Sequence, residues 1–247
     1  MAFFWREQGL ARRMFGKPDF ALLTPSEKRR ITLLRQSLLA WAADHGAHYP
    51  WREADASDYE RIVVEVLLQR TKRETVAKVY AGFLERFPSW SALADAHEVE
   101  IGEVLQPLGL WRRRAASLKA LARYAASMGG RFPKKAEDLA DVPAVGQYVA
   151  NAIMLFQHGQ ARPLIDGNIA RLLERVVRPR ALADIRHDPW LQSAAFWLVR
   201  ELPVETNWAA LDFAGAVCSV RNPRCETCEL SKRCRFGKQR ASRLAIR

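Results

Sequence analysis

The sequence predicts an all-α protein, on three observations. Apolar residues recur at three- and four-residue steps along most of the chain, the spacing that lines up one side of a helix. No segment alternates apolar and polar residues as a half-buried strand does. The proline and glycine breaks, near Pro50, Pro88, Gly109, Gly129 to Pro133, Pro143 to Gly146 and Pro163, are short. They connect packed helices, leave no flexible tether, and repeat at no solenoid period.

The start, "MAFFWREQGLARRMFGKPDF", is basic and aromatic without periodicity, so residues 1–24 read as a basic arm. The first helix follows "TPSE", which offers a cap and a proline in the first turn, and its stripe is Ile31, Leu34, Leu38 and Trp41. "DYERIVVEVLLQRT" comes next, with Ile62, Val63, Val66 and Leu67 on one face. Further stripes run through Val76, Val79, Tyr80, Phe83 and Phe87, then Leu118, Leu121 and Ala125, then Val149, Ile153 and Phe156. The last two are Ile169, Leu172, Leu173 and Val176, and Ala195, Leu198 and Val199.

A chain of 247 residues, 49% hydrophobic and 27% charged, can bury one large core or two modest ones. Lysine and arginine number 39 against 27 acidic residues, a net charge of +12. Such a surface gains by releasing counterions from phosphates, so nucleic acid is the first partner to consider, beside a merely soluble basic protein. No apolar run approaches the roughly 20 residues of a membrane span, and the N-terminus lacks the apolar core of a signal peptide. A cytoplasmic, nucleoid-associated monomer with no membrane contact is expected.

All four cysteines fall near the C-terminus, at Cys218, Cys225, Cys228 and Cys234, in the pattern C-x6-C-x2-C-x5-C. Four thiols in one short loop of a cytoplasmic chain suit four thiolates around one metal centre. Spacing alone leaves zinc and an iron–sulfur cluster in competition. Arg221, Arg224, Lys232, Arg233 and Arg235 make the loop basic, as a phosphate contact or as a solvated rim.

In "VPAVGQYVANAI", residues 142–153, Pro143 and Gly146 shape a turn into a helix. The backbone N–H groups of such a turn, with the dipole of the following helix, can hold a DNA phosphate without reading sequence; Val145, Gly146 and Gln147 are the candidates. Twenty residues beyond Gly146, "PLIDGNIARLLERV" puts Asp166 at a helix start, where local sequence alone favours an N-cap.

The hairpin, the aspartate and the cysteine loop, in this order and spacing, resemble the helix-hairpin-helix DNA glycosylase superfamily, in its endonuclease III and adenine-mismatch branches. The resemblance runs from "YPWRE" at 49 to Cys234. It implies a base-excision repair enzyme with two helical domains: a six-helix barrel over 57–161 that carries the hairpin, and a domain of 25–56 and 162–235 that holds a [4Fe-4S] cluster. A basic tail over 236–247 would follow, and the active site would lie in the cleft between the domains. The partner would be double-stranded DNA with a mispaired or damaged base, flipped out of the stack for reaction. Asp166 matches the family's essential aspartate, which stabilises the positive sugar as the glycosidic bond breaks or helps activate water.

Tyr148 stands where the bifunctional branch carries the lysine that forms a Schiff base. A tyrosine cannot form that imine, so the expected enzyme is a monofunctional glycosylase that uses water. Tyrosine here resembles the archaeal thymine-DNA mismatch glycosylases, which remove thymine or uracil opposite guanine; the adenine branch usually has serine. As a local reading, Tyr148 is a core aromatic with its hydroxyl satisfied nearby. Glu65 matches the family's other carboxylate, within an apolar run that favours its proton-donating form, or else pairs on the surface with Arg61 or Gln69.

Gln69 and Arg70 stand in "QRT", nearer the "RRT" of the thymine-mismatch relatives, and Arg70 could donate to the orphaned guanine or contact a phosphate. "PLGLWRRRAASLKAL" at 107–121 matches the wedge loop. It has Leu110 and Trp111 where adenine-mismatch enzymes have two tyrosines. Leu110 would fill the vacated stack, with Arg112, Arg113 and Arg114 on the backbone; alternatively Leu110 and Trp111 are core residues at a helix start. Only 13 residues follow Cys234, too few for the 8-oxoguanine-recognition domain that adenine-mismatch enzymes commonly carry. Ala144 and Gln147 depart from the family's hairpin, which has glycine and a basic residue at those positions. Two alternatives stay open: an adenine-mismatch glycosylase without its recognition domain, and a catalytically silent DNA-binding module.

Overall fold

The computed structural model describes residues 18–245. The basic arm expected over 1–24 therefore lies outside the described residues as far as residue 17, as do the last two residues of the tail. Among the described residues there is no strand, and every regular element is helical. None of these helices is long and apolar enough to cross a membrane. They form two compact units, one of residues 48–159 and the other of 18–47 with 160–245.

The unit 48–159 holds six α-helices: α2 (Asp58–Leu68), α3 (Arg73–Arg86), α4 (Trp90–Asp95), α5 (Glu98–Leu105), α6 (Trp111–Ser127) and α7 (Gln147–Phe156). Helix α2 starts on a capping box, in which Ser57 accepts from the Glu60 N–H and Glu60 accepts from the Ser57 N–H, satisfying two amides that the helix cannot pair itself. The predicted apolar stripes make the core: Ile62, Val63 and Leu67 of α2 meet Phe83 of α3, Leu118 and Leu121 of α6, and Val149 and Ile153 of α7. Trp51, from the "YPWRE" segment, is buried in this same core.

The second unit is built on α1 (Pro25–His45), α8 (Gly167–Val176), α9 (Pro189–Leu198), α10 (Pro203–Ala216) and α11 (Arg235–Ala245). The helix start expected at "TPSE" is a capping box, closed by Thr24 and Glu27 around Pro25. Ile31, Leu34 and Leu38 pack with Ile169, Leu172, Leu173 and Val176 of α8 and with Ala195, Leu198 and Phe213. The basic C-terminal segment is helical as far as Ala245.

The hairpin consists of a 3-10 turn over Ala136–Asp141, a tight turn in which the Val145 N–H donates to the Val142 carbonyl at 3.2 Å, and α7 beginning at Gln147. Ala144 sits at φ +63°, where its Cβ crowds the following carbonyl. The position therefore asks for the glycine found in the family's hairpin. Relief of about 1–2 kcal/mol of left-handed strain, less about 0.5–1 kcal/mol of added unfolded-chain entropy, predicts that Ala144→Gly stabilises the protein by about 1 kcal/mol. A thermal melt should show a rise of about 2–4 °C for a chain of this size.

Candidate active site

Four non-glycine residues among those described have positive φ, and three of them are Arg70 (58°), Leu110 (50°) and Ala144 (63°). Each lies in one of the three loops that the sequence singles out for DNA. Left-handed backbone costs energy at such residues and tends to persist where it positions something.

Helix α2 brings these loops together. Near its C-terminal end, Glu65 is 3% exposed, and it accepts a hydrogen bond of 2.7 Å from the Tyr148 hydroxyl in the second position of α7. The two residues lie 83 positions apart in sequence, yet the packing of α2 on α7 makes them one acid–phenol pair. Glu65 is thus an inward-facing carboxylate and not a surface group paired to Arg61 or Gln69. Tyr148, half-buried, has its hydroxyl on a carboxylate, where it can relay a proton or fix the carboxylate's orientation.

Beyond Glu65, α2 ends in exposed Gln69 and Arg70. On the 109–111 loop, Leu110 is 63% exposed although it is apolar, as a wedge requires. Trp111 turns the other way. Its indole packs against the core so closely that a Cβ added at Gly102 of α5 would lie 2.7 Å from the ring, so the adjacent pair divides into one outward and one inward residue. Arg112 is exposed and stacks over the Trp111 ring at 4.0 Å, and Arg113 is exposed too.

Arg114 corrects the expectation of a backbone-contacting arginine. It is 9% exposed, and its guanidinium donates to the carbonyls of Gly109, Val66, Leu67 and Gln69 and to the Thr71 hydroxyl. At the hairpin, Gly146 caps α7 without a side-chain hydrogen bond, leaving the helix N-terminus to the backbone amides. The Gln147 side chain is buried, at 8% exposure, so its contribution toward a phosphate can come only from its main chain.

Asp166, in the second unit, is the N-cap of α8. Its Oδ1 accepts from the Asn168 and Ile169 N–H groups at 2.8 and 2.9 Å, and its Oδ2 accepts from the Asn168 amide nitrogen at 2.6 Å. The carboxylate is fixed in direction, with a lone pair of Oδ2 still available. The cap reading and the catalytic reading are therefore compatible, since the same bonds that start the helix aim the anion.

The other end of α8 serves the cysteine loop. Arg175 donates to the carbonyls of Cys218, Ser219 and Val220, and Arg171 to those of Cys218 and Ala214. These two arginines were not singled out in the sequence. Their i, i+4 spacing in "ARLLER", beside the apolar stripe, is the signal that would have found them. All four cysteines line one partly open pocket, with Phe213, Val217 and Phe236 among its walls. Among the described residues, no three His, Cys, Asp or Glu side chains are grouped closely enough to share a single metal ion.

The family model described as "HhH-GPD superfamily base excision DNA repair protein" matches residues 63–184, from α2 through the hairpin and α8. A thymine-DNA glycosylase of Aeropyrum pernix is 37% identical over 214 residues, covering 84% of this chain and 96% of the relative. The chain belongs to the HhH-GPD superfamily. A thymine/uracil-DNA glycosylase of Pyrobaculum aerophilum is 35% identical over 81% of this chain and 89% of its own length. Among solved structures, that of a thermostable thymine-DNA glycosylase superposes with a TM-score of 0.76 at 26% identity, covering 85% of this chain and 98% of that one.

Proposed function

We propose that this superfamily member is a monofunctional DNA glycosylase of base excision repair, which hydrolyses the N-glycosidic bond of a flipped uracil or thymine mispaired with guanine and leaves an abasic site. The observation that carries the reading is the Tyr148–Glu65 hydrogen bond. At the position where the lyase branch presents an amine, this chain presents a phenol, itself bonded to a buried carboxylate. The similarity to the Aeropyrum thymine-DNA glycosylase and the Pyrobaculum thymine/uracil-DNA glycosylase supports the choice of base.

Each residue then has a task. The N-terminus of α7 and its hairpin hold the backbone at a phosphate, Leu110 enters the vacated stack, and Arg70 donates to the unpaired guanine. The Glu65–Tyr148 pair faces the departing base and moves or holds the proton that its leaving requires. Asp166 holds its negative charge toward the sugar, whose positive charge grows as the bond breaks. Water completes the reaction.

The cysteine loop fits a [4Fe-4S] cluster held by Cys218, Cys225, Cys228 and Cys234. A zinc ion would need all four sulfurs about 2.3 Å from one centre. A cluster likewise accepts four cysteines, and these four line one pocket. Bound there, it would fix the basic loop and leave the bond-breaking to the residues above. The purified protein is expected to be brown with broad visible absorption; a colourless protein with stoichiometric zinc would refute the cluster.

The substrate assignment is tested with a set of duplexes carrying U:G, T:G, A:G and A:8-oxoguanine. Base release from the first two, with little from the others, is expected. Release of adenine instead would identify an adenine-mismatch enzyme, and binding without release from any duplex a silent module.

A further inference from the structure

The buried arginine at position 114 joins two loops that the proposed reaction uses at different points on the DNA. Its Nε donates to the Gly109 carbonyl at 3.0 Å, one residue before the exposed Leu110. Its Nη2 donates to the Gln69 carbonyl at 2.7 Å and the Thr71 hydroxyl at 2.6 Å, the two residues that flank Arg70. Its Nη1 reaches the Leu67 carbonyl at 3.1 Å and that of Val66, which also accepts from the Gln69 N–H, at 3.4 Å, at the end of α2, where a cation is favoured. One guanidinium thus spans Gly109 and the 66–71 segment, and the two exposed residues beside its contacts, Leu110 and Arg70, are in left-handed backbone.

We propose that Arg114 is a positioning residue that couples the Leu110 loop to the Arg70 loop, so that the wedge enters the stack and Arg70 engages the orphaned base as a single event. The inference rests on the glycosylase reading for its consequence and on the free protein for its geometry. A planar fork with five donors serves both loops at once. Lysine, with one ammonium on a flexible stem, can satisfy one loop but not both.

The test has two readouts. In the free protein, hydrogen exchange is followed across residues 68–72 and 109–111 in the wild type, Arg114→Lys and Arg114→Met. Both segments should exchange about tenfold faster in Arg114→Met, while the core of α6 stays protected; acceleration in one segment alone would overturn the bridge. Arg114→Lys should restore protection to one segment only, and full rescue of both would also count against it. In the second readout, unstacking beside a U:G or T:G mispair is followed with 2-aminopurine in a double-mutant cycle of Arg70→Ala and Leu110→Ala. The two substitutions should be non-additive by about tenfold with Arg114 present and additive in Arg114→Met. Additivity with Arg114 present, or coupling that survives its loss, would overturn the inference. If exchange behaves as expected but the wild type neither unstacks nor releases any base, the glycosylase reading fails while the bridge stands.

Discussion

Asp166→Asn is expected to lower the single-turnover rate of base release by about 10³-fold while leaving the fold and duplex binding nearly unchanged. The magnitude is that of removing a preorganised charge from the point where charge develops in the transition state. What makes the substitution informative is the local geometry. Asparagine is as good an N-cap as aspartate, and its Oδ1 can still accept from the Asn168 and Ile169 N–H groups as the aspartate does. The bond between Oδ2 and the Asn168 amide nitrogen is the one at risk, so a melting shift equivalent to less than about 1 kcal/mol is expected. Asp166→Ala should add about 1 kcal/mol of instability to the same rate loss, because it also removes the cap. Rate and thermal melt together separate the charge from the helix start, and an Asn variant that keeps wild-type rates would reduce Asp166 to a cap.

Tyr148→Lys is expected to change the chemistry as well as the rate. Release of the base should fall by about 10²-fold, the usual size of a lost proton-transfer contribution, because the hydroxyl that donates to Glu65 is gone. In exchange, the site gains an amine at the position where the lyase branch forms its imine. Abasic product should then be cut without alkali, and borohydride should trap a protein–DNA adduct absent in the wild type. The side chain extends from the second residue of α7, and lysine can lie along the same path, where the Glu65 carboxylate can take the ammonium's proton and free the amine to attack. A variant that folds but traps no adduct would indicate that position 148 does not face the sugar.

Much of this was legible before the structure. Helical class followed from periodicity because each stripe satisfies a core that the neighbouring stripes also need, as Leu67, Leu118 and Ile153 do. The capping boxes at Thr24 and Ser57 involve residues three apart, within reach of local reading. Arg114 was the chief failure. Among three successive arginines, side-chain type gives no distinction, but helical rotation does: Arg114 precedes Leu118 by four residues and Leu121 by seven, and so shares their buried face. The inward turn of Trp111 and the burial of Gln147 depend on tertiary neighbours, such as the missing Cβ at Gly102. The Tyr148–Glu65 bond joins residues that only the packing of α2 on α7 brings together, and sequence could name the two but not pair them.

The central claim, hydrolysis by a site without an amine nucleophile, is tested most directly by one single-turnover time course on an end-labelled U:G duplex, each aliquot divided and half heated with alkali. The account predicts strand breaks in the alkali-treated halves, rising with base release, and intact strands in the untreated halves throughout. Breaks in the untreated halves that keep pace with base release would contradict it.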